Sequence, residues 1–380
     1  MSGESGTSPA HAVLSCGASG WGGLEGQALL LAETYRRHGL RVTLLARPET
    51  PLALEARARG LDVLTALPRR GLGTPASVLA LARFLRRTRP AVLHVHEGRD
   101  LRTVAPALAL SRAGTALYVT RHMGLRHGRR DPWHRWVYGR VRCLYAISNH
   151  VADEARRVLP LDPERIVVRP PGIDLGRFDP RGVDRAAVRA RLGWSAEDAV
   201  VGMLGRVTAG KGQADLLAAA ERLLSSRPRL RFAFVGSAGG EPAEQSLEAE
   251  LRARARSLGP RVSWHEATDR PEEFYAAFDV FVFPSHAEAF GLALVEAMAM
   301  RRPVVAAAAA GVLDIVDDGR DGLLYTRGSE TELSDRIVFL LDRPERAGAL
   351  AERAREKAVE KWGIDTIARL YIDDFEKDRE

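Results

Sequence analysis

Two successive series of alternating strand-like and helix-like segments constrain the fold of this chain more than any other feature. Short apolar runs typical of buried strands are separated by amphipathic stretches such as residues 26–39 and 75–89. The runs occupy residues 11–15, 41–46, 91–96, 116–120 and 143–148, and then residues 199–205, 231–236, 261–266, 280–285, 303–307 and 322–326. Because strands that alternate with helices form parallel sheets, the sequence predicts an α/β protein with two doubly wound, Rossmann-like domains.

A segment rich in proline and glycine separates the two series. Residues 169–182, RPPGIDLGRFDPRG, have the composition of a connection rather than of a helix or strand. We therefore place an N-terminal domain at residues 11–172 and a C-terminal domain at residues 173–362. Ligands bind beyond the carboxyl ends of the strands in open α/β sheets, so we expect the two sheets to face each other across a cleft. The last helical tract, residues 329–377, is amphipathic and interrupted near Gly363.

The composition predicts a cytoplasmic globular protein. Of the 380 residues, 46% are hydrophobic and 28% are charged, which suffices for a large core. No apolar run reaches the roughly 18 residues of a membrane span, and the first ten residues lack the features of a secretory signal. The two cysteines, Cys16 and Cys143, form neither a disulfide framework nor a metal-binding spacing.

Positive charge is concentrated in the first half of the chain. Residues 1–180 contain 27 arginines, no lysine and 15 acidic residues, a net charge of +12, whereas residues 181–380 contain 29 basic and 34 acidic residues, a net charge of −5. A basic half favours an anionic partner, namely a membrane surface, an anionic glycolipid or nucleic acid. The chain contains no recognised nucleic-acid-binding module, so nucleic acid is not expected.

Residues 121–142 concentrate this charge, with seven arginines, three histidines, Trp133, Trp136 and Tyr138. One interpretation is an exposed arginine-rich helix whose aromatic side chains pack inward. The other is an amphipathic surface that lies on an anionic membrane or receives an anionic glycan, with the aromatic rings at the interface. The second interpretation predicts peripheral association with the inner face of the cytoplasmic membrane.

An isolated acidic residue marks the first candidate site. Glu296 is the only ionisable side chain in residues 289–300, AFGLALVEAMAM. An ionised carboxylate among apolar side chains needs hydrogen-bond donors. Either an internal salt bridge or exposure to solvent satisfies it, or a ligand does, such as the hydroxyl pair of a ribose.

The residues before this glutamate complete a ligand-binding unit. Glu288 follows a predicted strand, at the carboxyl end where open α/β sheets bind ligands. Phe290, Gly291 and Leu292 open the next helix, and the free backbone N–H groups at a helix start suit a phosphate. In chain order the unit offers a sugar contact, a phosphate cradle and a diol acceptor.

A second phosphate-binding element follows the first strand of the second series. In GRVTAGKGQADLLAA, residues 205–219, Arg206 and Lys211 flank a glycine-containing turn before a helix. Both cations can reach a diphosphate, arginine through its planar fork and lysine as a point charge. The turn is not a P-loop, because Gly212 stands where that motif requires serine or threonine.

A glycine-rich turn joins the first strand of the chain to the first helix. Within residues 19–32, SGWGGLEGQALLLA, Gly20, Gly22 and Gly23 permit a ligand to approach the backbone closely. The turn lacks the Gly-x-Gly-x-x-Gly pattern, and the second strand has no acid at its tip. A nicotinamide cofactor is therefore not expected.

These segments together resemble the retaining GT-B glycosyltransferases of family four, often called group-one glycosyltransferases. The resemblance rests on Glu288-x7-Glu296 within EAFGLALVEAMA, and on GRVTAGKG, RIVVRPPGIDLGRFDP and GLEGQ, and it runs over nearly the whole chain. It implies a GT-B fold of two Rossmann-like domains. It also implies transfer of a hexose, with retention of anomeric configuration, from a nucleoside-diphosphate sugar to a glycan or glycolipid acceptor in the synthesis of cell-envelope polysaccharide or lipopolysaccharide.

The resemblance further implies a role for each residue on the donor side. Glu296 binds the ribose hydroxyls, Arg206 and Lys211 bind the diphosphate, and Glu288 contacts hydroxyls of the donor sugar. The backbone amides of residues 290–292 bind the phosphate and the sugar. No metal ion and no cofactor is implied, since the two cations can stabilise the charge that develops on the leaving diphosphate.

On the acceptor side, the resemblance matches His122 to the active-site histidine of the family. It also implies that the loop of Gly22 and Gly23 closes over the diphosphate, and that the helix at residues 363–380 packs back on the N-terminal domain. His94, His96 and Glu97 stand at the end of a neighbouring strand, in HVHEGRD. We interpret His96 and Glu97 as acceptor or sugar contacts, because two histidines alone make a poor metal site.

Two further functions fit the same residues. A nucleotide-sugar epimerase would use a similar fold and substrate, and a non-catalytic protein that binds sugar nucleotides would need only part of the residue set. The full set of Arg206, Lys211, Glu288 and Glu296 favours the transferase. A glycan phosphorylase is disfavoured, because no lysine lies in a motif that anchors its cofactor.

Overall fold

Parallel β-sheet dominates both halves of the chain, which the computed structural model describes at residues 10–69, 73–125 and 128–377. The chain divides into two units. Unit 1 comprises the chain up to Gly172 together with the segment from Ile364 onward, and unit 2 comprises Ile173–Gly363. The alternation of strand-like and helix-like segments therefore produces two Rossmann-like halves, as the sequence predicts.

Unit 1 contains a seven-stranded parallel sheet in the order β3-β2-β1-β4-β5-β6-β7. The strands are β1 (His11–Ser15), β2 (Arg41–Leu45), β3 (Asp62–Leu64), β4 (Val92–Val95), β5 (Ala116–Arg121), β6 (Val141–Ala146) and β7 (Ile166–Val168). All five residues of β1 are buried, because helices cover both faces of a parallel sheet. Direction along the sheet reverses between β1 and β4, so the loops that follow these two strands adjoin each other.

In the described residues, six α-helices connect these strands. They are α1 (Gly23–Arg37), α2 (Pro51–Ala58), α3 (Pro75–Thr88), α4 (Leu101–Ser111), α5 (Pro132–Tyr138) and α6 (Asn149–Val158). Side-chain caps begin several of them: the hydroxyls of Thr74 and Ser148 accept from backbone N–H groups of α3 and α6, respectively. Proline at the first position of α2, α3 and α5 reinforces these starts.

Unit 2 contains a six-stranded parallel sheet in the order β10-β9-β8-β11-β12-β13. After α7 (Arg185–Arg191), its elements are β8 (Ala199–Leu204), α8 (Gln213–Leu223), β9 (Leu230–Val235), α9 (Pro242–Ser257), β10 (Val262–His265), α10 (Pro271–Ala277), β11 (Val280–Phe283), α11 (Leu292–Ala299), β12 (Val304–Ala307) and β13 (Leu323–Tyr325). Direction reverses between β8 and β11. The loops after these two strands are residues 205–212 and 284–291, which contain most of the predicted donor-binding residues.

The last helical tract consists of three helices, α12 (Glu330–Leu341), α13 (Pro344–Trp362) and α14 (Ile364–Lys377). The prediction of one helix interrupted near Gly363 is therefore incomplete, since the chain also breaks before Pro344. Proline has no N–H to donate and is accommodated at the start of a helix, where Pro344 stands.

Helix α14 belongs to unit 1, where it packs against α1. Its buried side chains Tyr371 and Phe375 make ring contacts with Tyr35 of α1 and with His94 of β4. Among the helices of the described segments, none is both long enough and apolar enough to cross a membrane.

Candidate functional site

Two loops of unit 2 are joined to each other at the point where the sheet reverses direction. The backbone N–H of His286 donates to the Gly210 carbonyl at 2.8 Å, and the Ser285 hydroxyl reaches the same carbonyl at 3.3 Å. Gly212 has a φ of +74°, and a Cβ there would lie 2.1 Å from the Pro284 carbonyl oxygen. The loop after β8 therefore packs against the loop after β11 more closely than any residue with a side chain at position 212 would allow.

Lys211 and Glu288 form an ion pair between these two loops. The ammonium group of Lys211 donates to Glu288 Oε2, which also accepts from the Ser285 hydroxyl at 3.2 Å. Both side chains are partly buried, with 30% of Lys211 and 18% of Glu288 exposed. The structure thus brings together two predicted site residues that the resemblance assigns to different parts of a donor, the diphosphate and the sugar.

A histidine and an aspartate that the sequence analysis missed join the same loops. His286 Nε2 lies 2.6 Å from Asp215 Oδ2, in the first turn of α8. Arg327 donates to the His286 carbonyl at 3.1 Å. The only sequence signal was position, because His286 directly follows the end of a predicted strand and Asp215 follows the glycine-containing turn.

The start of α11 follows the second of these two loops. Gly291, with a φ of +121°, precedes the helix and offers no side chain to cap it. Phe290 is buried and makes an edge contact with Trp362 at a centroid distance of 6.1 Å, and the Gly311 N–H donates to the Glu288 carbonyl at 3.0 Å. The predicted phosphate cradle at residues 290–292 is therefore held on both sides by packing and by hydrogen bonding.

Glu296 lies on α11 and accepts a hydrogen bond of 2.8 Å from the hydroxyl of Tyr275, which is fully buried in α10. Burial raises the pKa of Glu296 from 4.5 to about 6, although the hydrogen bond from Tyr275 and the positive charge of Arg177 both lower it. Glu296 forms no salt bridge with any described residue. One phenol leaves most of the acceptor capacity of the carboxylate for other donors.

Arg206 lies on the same loop as Lys211 but does not join the network. Its side chain is exposed and makes no hydrogen bond or ion pair to the residues that the structure describes. Its backbone carbonyl accepts from the Gln213 amide at 3.0 Å. Unlike Lys211, the guanidinium is available to an external anion without breaking an internal contact.

In unit 1, the glycine-rich turn is exposed, and a buried carboxylate accepts hydrogen bonds from the residues just before it. Gly22 is the residue before α1 and Gly23 is its first residue, so the turn is shorter than the sequence suggests. Asp100 accepts from the Ser15 hydroxyl at 2.6 Å and from the Gly17 N–H at 2.8 Å. Burial raises the pKa of Asp100 from 3.8 to about 7 against these two hydrogen bonds, which lower it. Asp100 is a third residue that the sequence analysis missed, after His286 and Asp215.

His122 and His96 lie side by side after the ends of β5 and β4. His96 Nδ1 is 3.1 Å from His122 Nε2, and His96 is buried while His122 is partly buried. Burial lowers the pKa of His122 from 6.5 to about 4, and it lowers the pKa of His96 well below 6.5. Both imidazoles are therefore neutral at pH 7.

Two other polar residues, one in β4 and one just after it, make hydrogen bonds within unit 1. His94 is fully buried, and its Nε2 lies 2.7 Å from the Thr120 hydroxyl. Glu97 accepts from the Arg99 N–H at 3.1 Å and so caps the short helical turn that follows it. Among the described residues, no group of three or more His, Cys, Asp or Glu is arranged to hold a metal ion.

The arginine-rich segment, residues 121–142, is helical only in α5, and Arg126 and His127 lie outside the described residues. Trp133, 41% exposed, stacks on Trp136, whose ring also lies 3.9 Å from the Arg140 guanidinium. Tyr138 is buried, so its expected place at an interface is wrong. Its ring lies on the inner side of α5, among core side chains.

Two family descriptions match successive parts of the chain. "Glycosyltransferase Family 4" matches residues 21–177, and "Glycosyl transferases group 1" matches residues 184–357. A D-inositol 3-phosphate glycosyltransferase from Geodermatophilus obscurus is 40% identical over 236 residues, which cover 58% of this chain and 51% of that protein. The chain spans about half the length of the curated relatives that it matches.

Solved structures of similar fold cover nearly the whole of this chain. A glycosyltransferase from Rickettsia africae superposes with a TM-score of 0.86 at 16% identity, over 98% of this chain and 99% of that one. HepE from Anabaena, in complex with UDP and glucose, superposes with a TM-score of 0.80 at 22% identity, over 96% and 99% of the two chains. With its two parallel sheets and both halves matched, the chain belongs to the group 1 glycosyltransferases of GT-B fold.

Proposed function

We propose that the protein transfers a sugar from a nucleoside-diphosphate sugar to a hydroxyl group of an acceptor. The observation that carries this proposal is the joined pair of loops in unit 2, which gathers Lys211, Glu288 and the start of α11 at the reversal point of a doubly wound sheet. Lys211 suits a diphosphate, the free N–H groups at the start of α11 suit a phosphate, and Glu288 suits a sugar, with Glu296 on α11 for a ribose.

The proposal gives each candidate site residue of unit 2 a role. Glu296 accepts hydrogen bonds from the ribose hydroxyls, for which its carboxylate has capacity beyond Tyr275. Arg206 and Lys211 neutralise the diphosphate with the amides of residues 290–292, and Glu288 contacts the sugar. To bind the diphosphate, Lys211 must weaken or break its ion pair with Glu288. The Glu288 carboxylate is then free to accept hydrogen bonds from the donor sugar.

We propose a UDP-hexose as the donor and an anionic molecule as the acceptor. HepE of Anabaena, which shares the fold, was crystallised with UDP-glucose, and this supports the donor. Relatives named D-inositol 3-phosphate glycosyltransferases support a phosphorylated cyclitol as the acceptor. An anionic glycan or glycolipid of the cell envelope fits the basic first half of the chain equally, and His122, His96 and Glu97 are the residues of unit 1 proposed to meet it.

We propose further that the reaction retains anomeric configuration and requires no metal ion. The support is the resemblance to retaining transferases and the presence of two cations, Arg206 and Lys211, beside the proposed diphosphate site. Product NMR determines the anomer directly. Turnover that persists in EDTA supports metal independence, and loss of turnover that Mg²⁺ restores contradicts it.

We also propose that unit 1 associates with anionic membranes from the cytoplasmic side. Its support is the exposure of Trp133 and of Met123, 72% exposed, within the arginine-rich segment. Flotation with anionic vesicles should recover the protein at low salt and release it at high salt. Equal recovery with neutral vesicles, independent of salt, contradicts the proposal.

A donor screen tests the central proposal. UDP, GDP and ADP compounds are added at increasing concentration, and a ligand at 100 times its dissociation constant should raise the unfolding free energy by about 2.7 kcal/mol. The donor that binds is then incubated with candidate acceptors, and the products are identified by mass. An isomerised donor without acceptor indicates an epimerase, binding without any product indicates a non-catalytic protein, and no binding at all contradicts the donor site.

A further inference from the structure

One of the two ring nitrogens of His122 lies within hydrogen-bond distance of a second histidine, His96. His96 and His122 each directly follow the end of one of two paired parallel strands, β4 and β5. His96 Nδ1 and His122 Nε2 are separated by 3.1 Å, and the ring centroids are 5.4 Å apart. The contact occupies His122 Nε2 and leaves His122 Nδ1 with no hydrogen bond to the described residues.

The other nitrogen of His96 is buried without a hydrogen-bond partner among the described residues. The His96 ring lines a small cavity whose apolar walls include Leu31, Ile147, Ile364 and Ile367. Two other polar side chains that line the same cavity, Gln27 and Thr120, make hydrogen bonds to groups other than His96. The Gln27 amide donates to the Gly172 carbonyl at 2.7 Å, and the Thr120 hydroxyl contacts both His94 and Tyr371.

This arrangement distinguishes the two tautomers of the pair. Neutral rings place one hydrogen atom between the two nitrogens, because burial disfavours protonation of either imidazole. If His122 Nε2 carries that hydrogen, then His96 must carry its own on the buried Nε2, where no protein acceptor meets it. If His96 Nδ1 carries it, His96 Nε2 is a bare acceptor. Buried N–H groups without an acceptor are rarer than acceptors without a donor, so the second arrangement is favoured.

We propose that His96 is a positioning residue that holds His122 in the tautomer with its hydrogen on Nδ1. His122 then offers an N–H donor, rather than a base, to a hydroxyl or phosphate oxygen of a substrate. The identity of that substrate depends on the proposed function, but the tautomer does not.

Nitrogen NMR on the full-length protein tests the tautomer without any assay of activity. Histidine labelled with ¹⁵N gives separate signals for protonated and bare ring nitrogens, and the signals of His96 and His122 are assigned by their loss in single variants. At pH 7 we expect a protonated Nδ1 and a bare Nε2 in His122, with a protonated Nδ1 in His96. A protonated Nε2 in His122 overturns the proposal.

Two variants of His96 separate positioning from packing. His96→Asn keeps an amide N–H near the place of Nδ1, so we expect it to preserve the His122 tautomer and to lower kcat less than His96→Leu does. His96→Leu keeps bulk but removes the donor. We expect it to mix the two tautomers of His122 and to lower kcat about tenfold, the rate equivalent of one hydrogen bond, with the donor KM unchanged.

The outcomes separate this inference from the proposed function. If His96→Leu leaves the His122 tautomer unchanged in a folded protein, the positioning role is wrong, whatever the activity. If the tautomer follows the expectation but no nucleoside-diphosphate sugar is bound or turned over, the proposed function fails and the inference about His96 stands.

Discussion

Glu296 is an ionisable residue whose surroundings favour its neutral form. The pKa is raised in the folded protein, so the native state binds a proton more tightly than the unfolded chain does. The contribution of Glu296 to stability is therefore greatest below pH 4.5 and is lost as the pH rises through about 6. At neutral pH the residue costs stability, which is expected of a group kept for a ligand.

Glu296→Gln should stabilise the ligand-free protein at pH 7 by up to about 2 kcal/mol, because glutamine can accept the Tyr275 hydrogen bond without a charge. The gain should vanish well below pH 4.5, where the carboxyl is protonated in both states. Urea unfolding at the two pH values measures it, with Glu360→Gln on the exposed face of α13 as the control. Lower stability at pH 7 would contradict the assigned pKa. Nucleotide affinity should fall in the same variant.

Lys211 distinguishes a diphosphate site from a structural ion pair. Lys211→Ala should weaken binding of a nucleoside diphosphate by about 1.5–3 kcal/mol, the usual range for a charged hydrogen bond, and binding of the bare nucleoside by much less. Calorimetry with both ligands measures the difference. Lys361→Ala removes an exposed ammonium elsewhere in unit 2 and should change neither affinity. Equal losses for diphosphate and nucleoside would mean that Lys211 acts only through Glu288.

At the scale of elements, Gly212 controls how closely the two loops of unit 2 meet. Gly212→Ala would place a methyl group against the Pro284 carbonyl in a left-handed backbone conformation. We expect a loss of about 2–4 kcal/mol in unfolding free energy, together with weaker nucleotide binding. Gly210→Ala is a matched control on the same loop, because a Cβ at position 210 meets no atom within 4 Å. Equal stability of the two variants would show that the loops tolerate separation.

The sequence predicted long elements well and short or tertiary features poorly. The two series of strands and the crossover helices follow from hydrophobic period, which is a local property. Strands β3 and β7 were missed, since each has only three residues, and the structure begins β6 two residues earlier than predicted. Periodicity also joined α12 to α13 across Pro344, although the proline was a visible signal.

In the candidate site too, the sequence predicts the positions of residues in the chain but not their contacts in the fold. The positions of Lys211, Glu288 and Glu296 in the chain follow from motif and spacing. Their partners, Tyr275 for Glu296 and Ser285 for Glu288, come from tertiary packing that no local pattern encodes. The contact of Lys211 with Glu288 was likewise invisible, because 77 residues separate the two in the chain.

At the scale of the whole molecule, unit 2 is a continuous segment and unit 1 is not. Ile364, Ile367, Ala368, Tyr371 and Phe375 of α14 belong to the buried core of unit 1. Loss of one large aromatic core side chain costs about 3–5 kcal/mol, and α14 supplies two of them. Domains are stable by about 5–15 kcal/mol in total, so unit 1 should not fold without this helix.

Two truncated chains test this dependence. A fragment of residues 173–363 should unfold cooperatively and bind the same nucleotide as the full-length protein. A chain that ends at residue 363 should keep a protease-resistant unit 2 and lose unit 1 to digestion. Survival of both units in the second chain would show that α14 is dispensable to the core.

The return of the chain to unit 1 through α14 sets an order of events on the ribosome. The strands of unit 1 are synthesised first, but the helix that closes their core is made only after all of unit 2. At typical rates of about 5–20 residues per second, translation of unit 2 takes roughly 10–40 s. During that interval the apolar pocket around Tyr35 and His94 is open to chaperones and to degradation, so the part of the protein made earliest is the part completed last.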